Sequence, residues 1–194
     1  MFLPSKTDFL LFALLALGLI VTPRAAQATN VTLHGVVTSD DAVQLFNLTV
    51  ATAGSVDIRS YGYAGGTTAT GTVVARGGFD TILTLFDSAG TFLSDNDDGT
   101  GIAVDPLTGS ASDARITMSL TPGTYFVALT QFDNFANGNL GDGFVETGHP
   151  NFTANPSFTS SGAYPGNMFR DISGTANRCR DANWAVDFVN VARV

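Results

Sequence analysis

The chain has 194 residues with 9 basic and 17 acidic side chains, a net charge of −8 at pH 7, and one cysteine. An acidic surface repels nucleic acid and anionic lipid headgroups, both of which need clustered lysine and arginine, so nucleic acid is excluded as a partner. The lone Cys179 excludes an internal disulfide framework, and the length suits one domain with a proper core.

Lys6 precedes an apolar run from Phe9 to Val21, and Ala26-Gln27-Ala28 offers small residues where a signal peptidase reads. This pattern predicts a secretory signal peptide over residues 1–28, with cleavage after Ala28. The run of roughly 13 apolar residues is short of the roughly 20 needed to span a bilayer. The expected mature chain, 29–194, is therefore exported to the periplasm or beyond, with no membrane attachment after cleavage. Losing Lys6, Arg24 and Asp8 leaves seven cations, all arginine, and sixteen acids, of which only Glu146 is not aspartate. Aspartate suits loop-rich β proteins, because its short side chain bonds to its own backbone in turns, and it also suits calcium.

The mature chain reads as short strands broken by Gly, Asn, Asp and Thr. Residues 31–38 and 43–50 flank a Ser39-Asp40-Asp41 turn, and Phe46, Leu48 and Val50 share one face at the two-residue period of a strand. Residues 55–60 place Val56 and Ile58 inward, and 61–72 reads as a flexible Gly/Thr-rich connection. Asp80 to Asp87 is apolar on both faces, as a central strand should be, and turns through Ser88-Ala89-Gly90 into a short strand at 91–94. Ile116, Met118 and Leu120 alternate with polar residues, and Pro122-Gly123 suits a turn before 124–131, which together predict a hairpin. The closing NWAVDF stretch also alternates. Without a 3.6-residue period or strand–helix alternation, eight or nine such strands predict an all-β fold, a single antiparallel sandwich of jelly-roll type.

The long polar segment 133–182 contains Phe135, Phe144, Phe152, Phe158, Tyr164 and Phe169. These rings either pin the segment onto the sandwich by burying apolar area, which is the favoured reading, or stack on sugar rings or a partner. Trp184 reads as core. His34 and His149 are isolated, and the chain has no HExxH, GxSxG or P-loop motif, so an enzyme is not expected; a carboxylate pair for glycoside hydrolysis is the alternative. Cys179, between Arg178 and Arg180, is read as a structural bystander, with pairing to another chain as the alternative.

The order FD-x-x-L-x-L-F-D, a glycine turn, N-D-D-G, Asp-x-Arg-Ile and P-G-T-Y resembles the bacterial pre-peptidase C-terminal (PPC) domain, a calcium-binding β-sandwich similar to the collagen-binding module of clostridial collagenases. SYGYAGGT before GGFD, and LTQFDNFANGNLGDGF after P-G-T-Y, resemble more closely a PPC-related family of exported proteins that often end in a PEP-CTERM sorting tail. The resemblance covers roughly Leu33 to Phe144 and the NWAVDF strand. No Pro-Glu-Pro signal, apolar helix or basic tail precedes Val194, so the sorting implied by such a tail is not carried over.

Residues and resemblance meet at the acidic loop. Asp95, Asp97 and Asp98 fall within four residues, and two carboxylates about 6 Å apart repel by about 0.7 kcal/mol in water and nearer 3 kcal/mol at an effective dielectric of 20. A cation turns this repulsion into attraction. Calcium fits better than magnesium because it accepts six to eight oxygens in irregular geometry, and better than zinc because there is no Cys/His cluster. The resemblance adds Asp80 and Asp113, giving Asp80, Asp95, Asp97, Asp98 and Asp113 as expected calcium ligands. A solvated, aspartate-rich turn is the alternative. The loop is not an EF-hand: counted from Asp95, Gly99 is at position five, and Pro106 stands at position twelve, where a bidentate glutamate is required. The expected function is a non-catalytic exported module that binds polysaccharide or protein at the cell surface or in the extracellular matrix. A structural, self-assembling surface protein is the alternative, and an accessory protein of a secreted hydrolase system is a further one.

Overall fold

A computed structural model describes residues 27–154, 168–172 and 179–194. The predicted signal segment lies outside the described residues except for its last two positions, as do Phe158 and Tyr164. Among the described residues no helix is long and apolar enough to cross a membrane.

Among the described residues twelve strands follow in order: β1 (Thr29–Val36), β2 (Gln44–Val50), β3 (Gly54–Ser60), β4 (Gly66–Thr67), β5 (Val73–Val74), β6 (Thr81–Phe86), β7 (Phe92–Asn96), β8 (Arg115–Leu120), β9 (Gly123–Gln131), β10 (Met168–Arg170), β11 (Cys179–Asp181) and β12 (Asn183–Val191). Eight of them build two four-stranded sheets, ordered β1-β12-β3-β8 and β2-β9-β6-β7. Every pairing within them is antiparallel. Numbered along the chain, those eight strands pair first with eighth, second with seventh, third with sixth and fourth with fifth. This is one long hairpin folded over on itself, the winding of a jelly roll. Its tip is the β6–β7 turn, where Asp87 Oδ1 accepts hydrogen bonds from the amides of Ala89 and Thr91, both at 2.8 Å.

The sandwich expectation holds, and the alternation explains why. Phe46, Leu48, Val56, Ile58, Leu83, Leu85, Val127, Leu129, Val186 and Phe188 point inward from both sheets into one core. Strand β6 is buried along its whole length because its outer face is also covered: Phe86 meets Ala128 and Phe144 there. Phe144, Phe152 and Phe169 are all buried, so these rings of the polar segment pin it onto the sandwich, and Trp184 packs edge-to-face on Phe46 with centroids 5.4 Å apart.

Two expectations are corrected. Strands β8 and β9 do not form a hairpin: β8 pairs with β3 and β9 with β2 and β6, so Thr121-Pro122 carries the chain from one sheet to the other. Inward residues Ile116 and Leu120 thus join Val127 and Leu129 in one core. Residues 61–72 are not a flexible connection, since Tyr61, Gly62 and Tyr63 are buried and β4 pairs with β5 as a small flap. Ala69 donates its amide to Asp187 on β12 at 2.6 Å, which holds the flap against the outer face of the first sheet.

Candidate functional site

The acidic loop begins where β7 ends and is fastened to β8 through its uncharged members. Asn96 Oδ1 accepts the Arg115 amide at 2.8 Å, and the Gly99 amide donates to the Asp113 carbonyl at 2.9 Å. A Cβ on Gly99 would stand 2.6 Å from Arg115 Cβ, so only glycine lets the loop close on β8. Asp97 Oδ1 accepts the amide of Asp98 at 2.9 Å, which sets the two carboxylates side by side. Partial desolvation and then the charges of Asp97 and Asp171 push the Asp98 carboxyl up, against a hydrogen bond from Ser112. Desolvation, Glu146 and Asp97 push Asp133 up in the same way. Asp95 lies opposite Thr84, exposed, on the face of β7 away from the core.

The remaining expected ligands are buried. Asp113 is 2% exposed; its Oδ1 accepts from the Ser60 hydroxyl at 2.9 Å and the Tyr63 amide at 3.1 Å, and its Oδ2 from the Ala64 amide at 2.9 Å. It is therefore engaged in holding residues 60–64 against the start of β8. Asp80 is also 2% exposed, and its carbonyl accepts the Phe132 amide at 3.0 Å, tying the start of β6 to the end of β9. Among the described residues no three His, Cys, Asp or Glu side chains converge closely enough to hold a metal ion. The structure thus brings Asp97 and Asp98 together without gathering the five expected ligands into one cage.

What staples the long loops is a set of residues that sequence reasoning did not single out. Asp105, with a fully buried side chain, accepts from Arg76 Nε at 3.0 Å and Nη2 at 2.6 Å, and from Arg180 Nη1 at 2.8 Å. Arg180 also donates to the Tyr63 carbonyl at 3.0 Å and lies over the Tyr63 ring, 3.5 Å from its centroid. The Tyr63 hydroxyl donates to Asp171 at 2.5 Å. Burial alone would raise the Asp105 carboxyl, but hydrogen bonds from Arg76, the Leu107 amide and Arg180 hold it down at about 2. Two loops and strand β11, far apart in sequence, are joined here through one carboxylate. The available signal was the all-arginine composition, since a planar guanidinium fork suits bidentate buried pairing as lysine does not.

Other titratable groups stand apart from this network. His149 Nδ1 lies 3.1 Å from Glu146 at the surface, His34 is exposed on β1, and Cys179 is exposed on β11 opposite Arg170. Compared with known proteins, the sequence matches no family model and no curated relative.

Proposed function

We propose that the chain is a non-catalytic, exported β-sandwich module of the PPC kind that binds calcium at its acidic end and a polysaccharide or matrix protein through its surface. The observation that carries the calcium reading is the acidic loop itself, where Asp97 and Asp98 are adjacent and Asp97 Oδ1 accepts the Asp98 amide at 2.9 Å; the Asp98 carboxyl is raised by partial desolvation first and by the Asp97 charge second. Asp97 and Asp98 are the ligands this arrangement favours. Two carboxylates leave most of calcium's six to eight oxygens to water, a composition suited to the weak regime of extracellular modules, with Kd of about 10⁻⁴–10⁻³ M.

The test is a thermal melt after thorough chelation, with calcium and magnesium titrated in parallel. Binding to the folded state alone adds about 2.7 kcal/mol at a hundredfold excess over Kd. Asp98→Asn should remove the calcium response and, by relieving repulsion, raise the melting temperature in chelator. An unchanged melting temperature in tens of millimolar calcium refutes the metal reading. Retention on polysaccharide and matrix-protein supports, with calcium and with chelator, tests the module reading; no retention under any condition sinks it.

A further inference from the structure

We propose that Thr81 and Gln131 join in an ester bond that the folded chain makes by itself, a covalent staple between the two central strands of the second sheet, β6 and β9. The two residues are direct partners in the antiparallel ladder. The Phe132 amide donates to the Asp80 carbonyl at 3.0 Å, whereas the Thr81 amide turns to the Ser112 carbonyl at 3.5 Å, so Thr81 and Gln131 form a non-hydrogen-bonded pair. In that class of pair the Cα atoms are about 4.5 Å apart and the side chains lie closest. Leu83 and Leu129, two residues along, point into the core, so Thr81 and Gln131 share that inner face. A bridge Cβ–Oγ1–Cδ–Cγ–Cβ matches the spacing of such a pair.

Thr81 is 0% and Gln131 2% exposed, so neither meets a partner from outside the fold. The Thr81 hydroxyl has a proton relay beside it. Thr81 Oγ1 lies 2.6 Å from Ser60 Oγ, and Ser60 donates to Asp113 Oδ1 at 2.9 Å. Because the Ser60 proton is committed to Asp113, Thr81 is the donor in the bond between the two hydroxyls. The Ala114 amide, 2.8 Å from Ser60 Oγ and 3.4 Å from Thr81 Oγ1, holds both in place. Gln131 supplies the electrophile. Its Nε2 donates to the Phe132 carbonyl at 3.0 Å, while its Oε1 is buried with no hydrogen-bond partner among the described residues. An amide oxygen is a stronger acceptor than an ester oxygen, so turning this amide into an ester relieves part of the cost of leaving it unpaired.

In the step itself, Thr81 Oγ1 attacks Gln131 Cδ and the O–C bond forms, while the hydroxyl proton passes through Ser60 to Asp113. The Cδ–Nε2 bond then breaks, and the nitrogen takes that proton back along the relay and leaves as ammonia. Nothing is oxidised or reduced, and no co-reactant enters. Holding hydroxyl and carbonyl on one rung of the ladder replaces a bimolecular encounter by an oriented internal one, for which effective molarities reach about 10⁵–10⁸ M.

Trypsin separates the two residues: cutting at Arg76, Arg115 and Arg170 leaves Thr81 in peptide 77–115 and Gln131 in peptide 116–170. The full-length protein is purified, digested and analysed by mass spectrometry. The expected result is the two peptides joined, about 17 Da below their summed masses, which is the ammonia lost on acyl transfer. Alkaline hydroxylamine should part them, since it cleaves esters and leaves amides. Thr81→Val and Gln131→Met should give separate peptides at full mass, and Thr81→Ser, which keeps the hydroxyl, should give the joined one. Separate wild-type peptides at full mass overturn the proposal, as does joining that persists in Thr81→Val or resists hydroxylamine. The wild-type digest decides by itself, so a variant that fails to fold leaves the test standing.

Discussion

Asp105→Asn is the sharpest test of what holds this fold together. The substitution keeps size and shape but removes the negative charge that Arg76 and Arg180 share. Arg180 is 3% exposed and Asp105 wholly buried, so the change leaves a guanidinium in the interior without its counter-ion, whereas Arg76, about one third exposed, still reaches water. Breaking a buried pair by deleting one partner costs about 3–5 kcal/mol, a large share of the roughly 5–15 kcal/mol total for a domain. At about 2–4 °C per kcal/mol for a chain of this size, the melting temperature should fall by about 6–20 °C. Differential scanning calorimetry at pH 7 measures it. The double variant Asp105→Leu with Arg180→Met removes the buried charge together with its partner and should recover part of the loss. A single variant melting within 2 °C of wild type, or a double variant less stable than the single, refutes the reasoning.

Two further outcomes follow from the geometry. Gly35→Ala forces a methyl group into the Trp184 ring and should cost about 1–3 kcal/mol by overpacking, with a shift in tryptophan emission; unchanged emission and melting would show that the indole has room to move. The pH profile of stability should be humped on the acid side. Burial raises the carboxyls of Asp40, Asp98, Asp113 and Asp133, so their charged forms weigh against folding at neutral pH, and that penalty is relieved as pH falls toward the ordinary carboxylate value near 4. Asp105, held at about 2, and Asp57, lowered despite burial by hydrogen bonds from Arg115 and Thr117, act oppositely: their contribution is complete above about 4 and is lost as pH drops from there toward 2. At the alkaline end, burial and the hydrogen bond to Asp187 push Tyr61 up to about 12, so stability should fall between about pH 10 and 12 as the unfolded tyrosine ionises first. Urea unfolding at fixed pH steps reads all three limbs, and a steady decline from pH 7 to 4 contradicts the assignment of the raised carboxyls.

Which strands exist was legible because a two-residue apolar period survives in any β environment: Phe46, Leu48 and Val50, or Ile116, Met118 and Leu120, alternate whatever they pair with. Which strands pair was not legible at Pro122-Gly123, since a tight turn serves equally to close a hairpin or to pass the chain from one sheet to the other. Strands β4 and β5 were missed because two residues carry no period. At the acidic loop, residue spacing alone indicates that Asp97 and Asp98 repel each other. The use of Asp113 was beyond reach, because its partners Tyr63 and Ala64 lie 50 and 49 residues away and arrive only when β3 pairs with β8.

By itself the sequence determined an all-β chain with a doubly buried strand at 81–86 and an acidic turn behind it, because burial pattern and turn chemistry are local. Only the tertiary structure decided that this strand and β7 form the tip of one long folded hairpin, since nested pairing depends on which apolar faces meet across the core. The same folding placed Asp105 between Arg76 and Arg180 and set Trp184 edge-to-face on Phe46 inside the core. Those contacts have no local signature: a carboxylate's partners are whichever donors the winding of the chain carries to it.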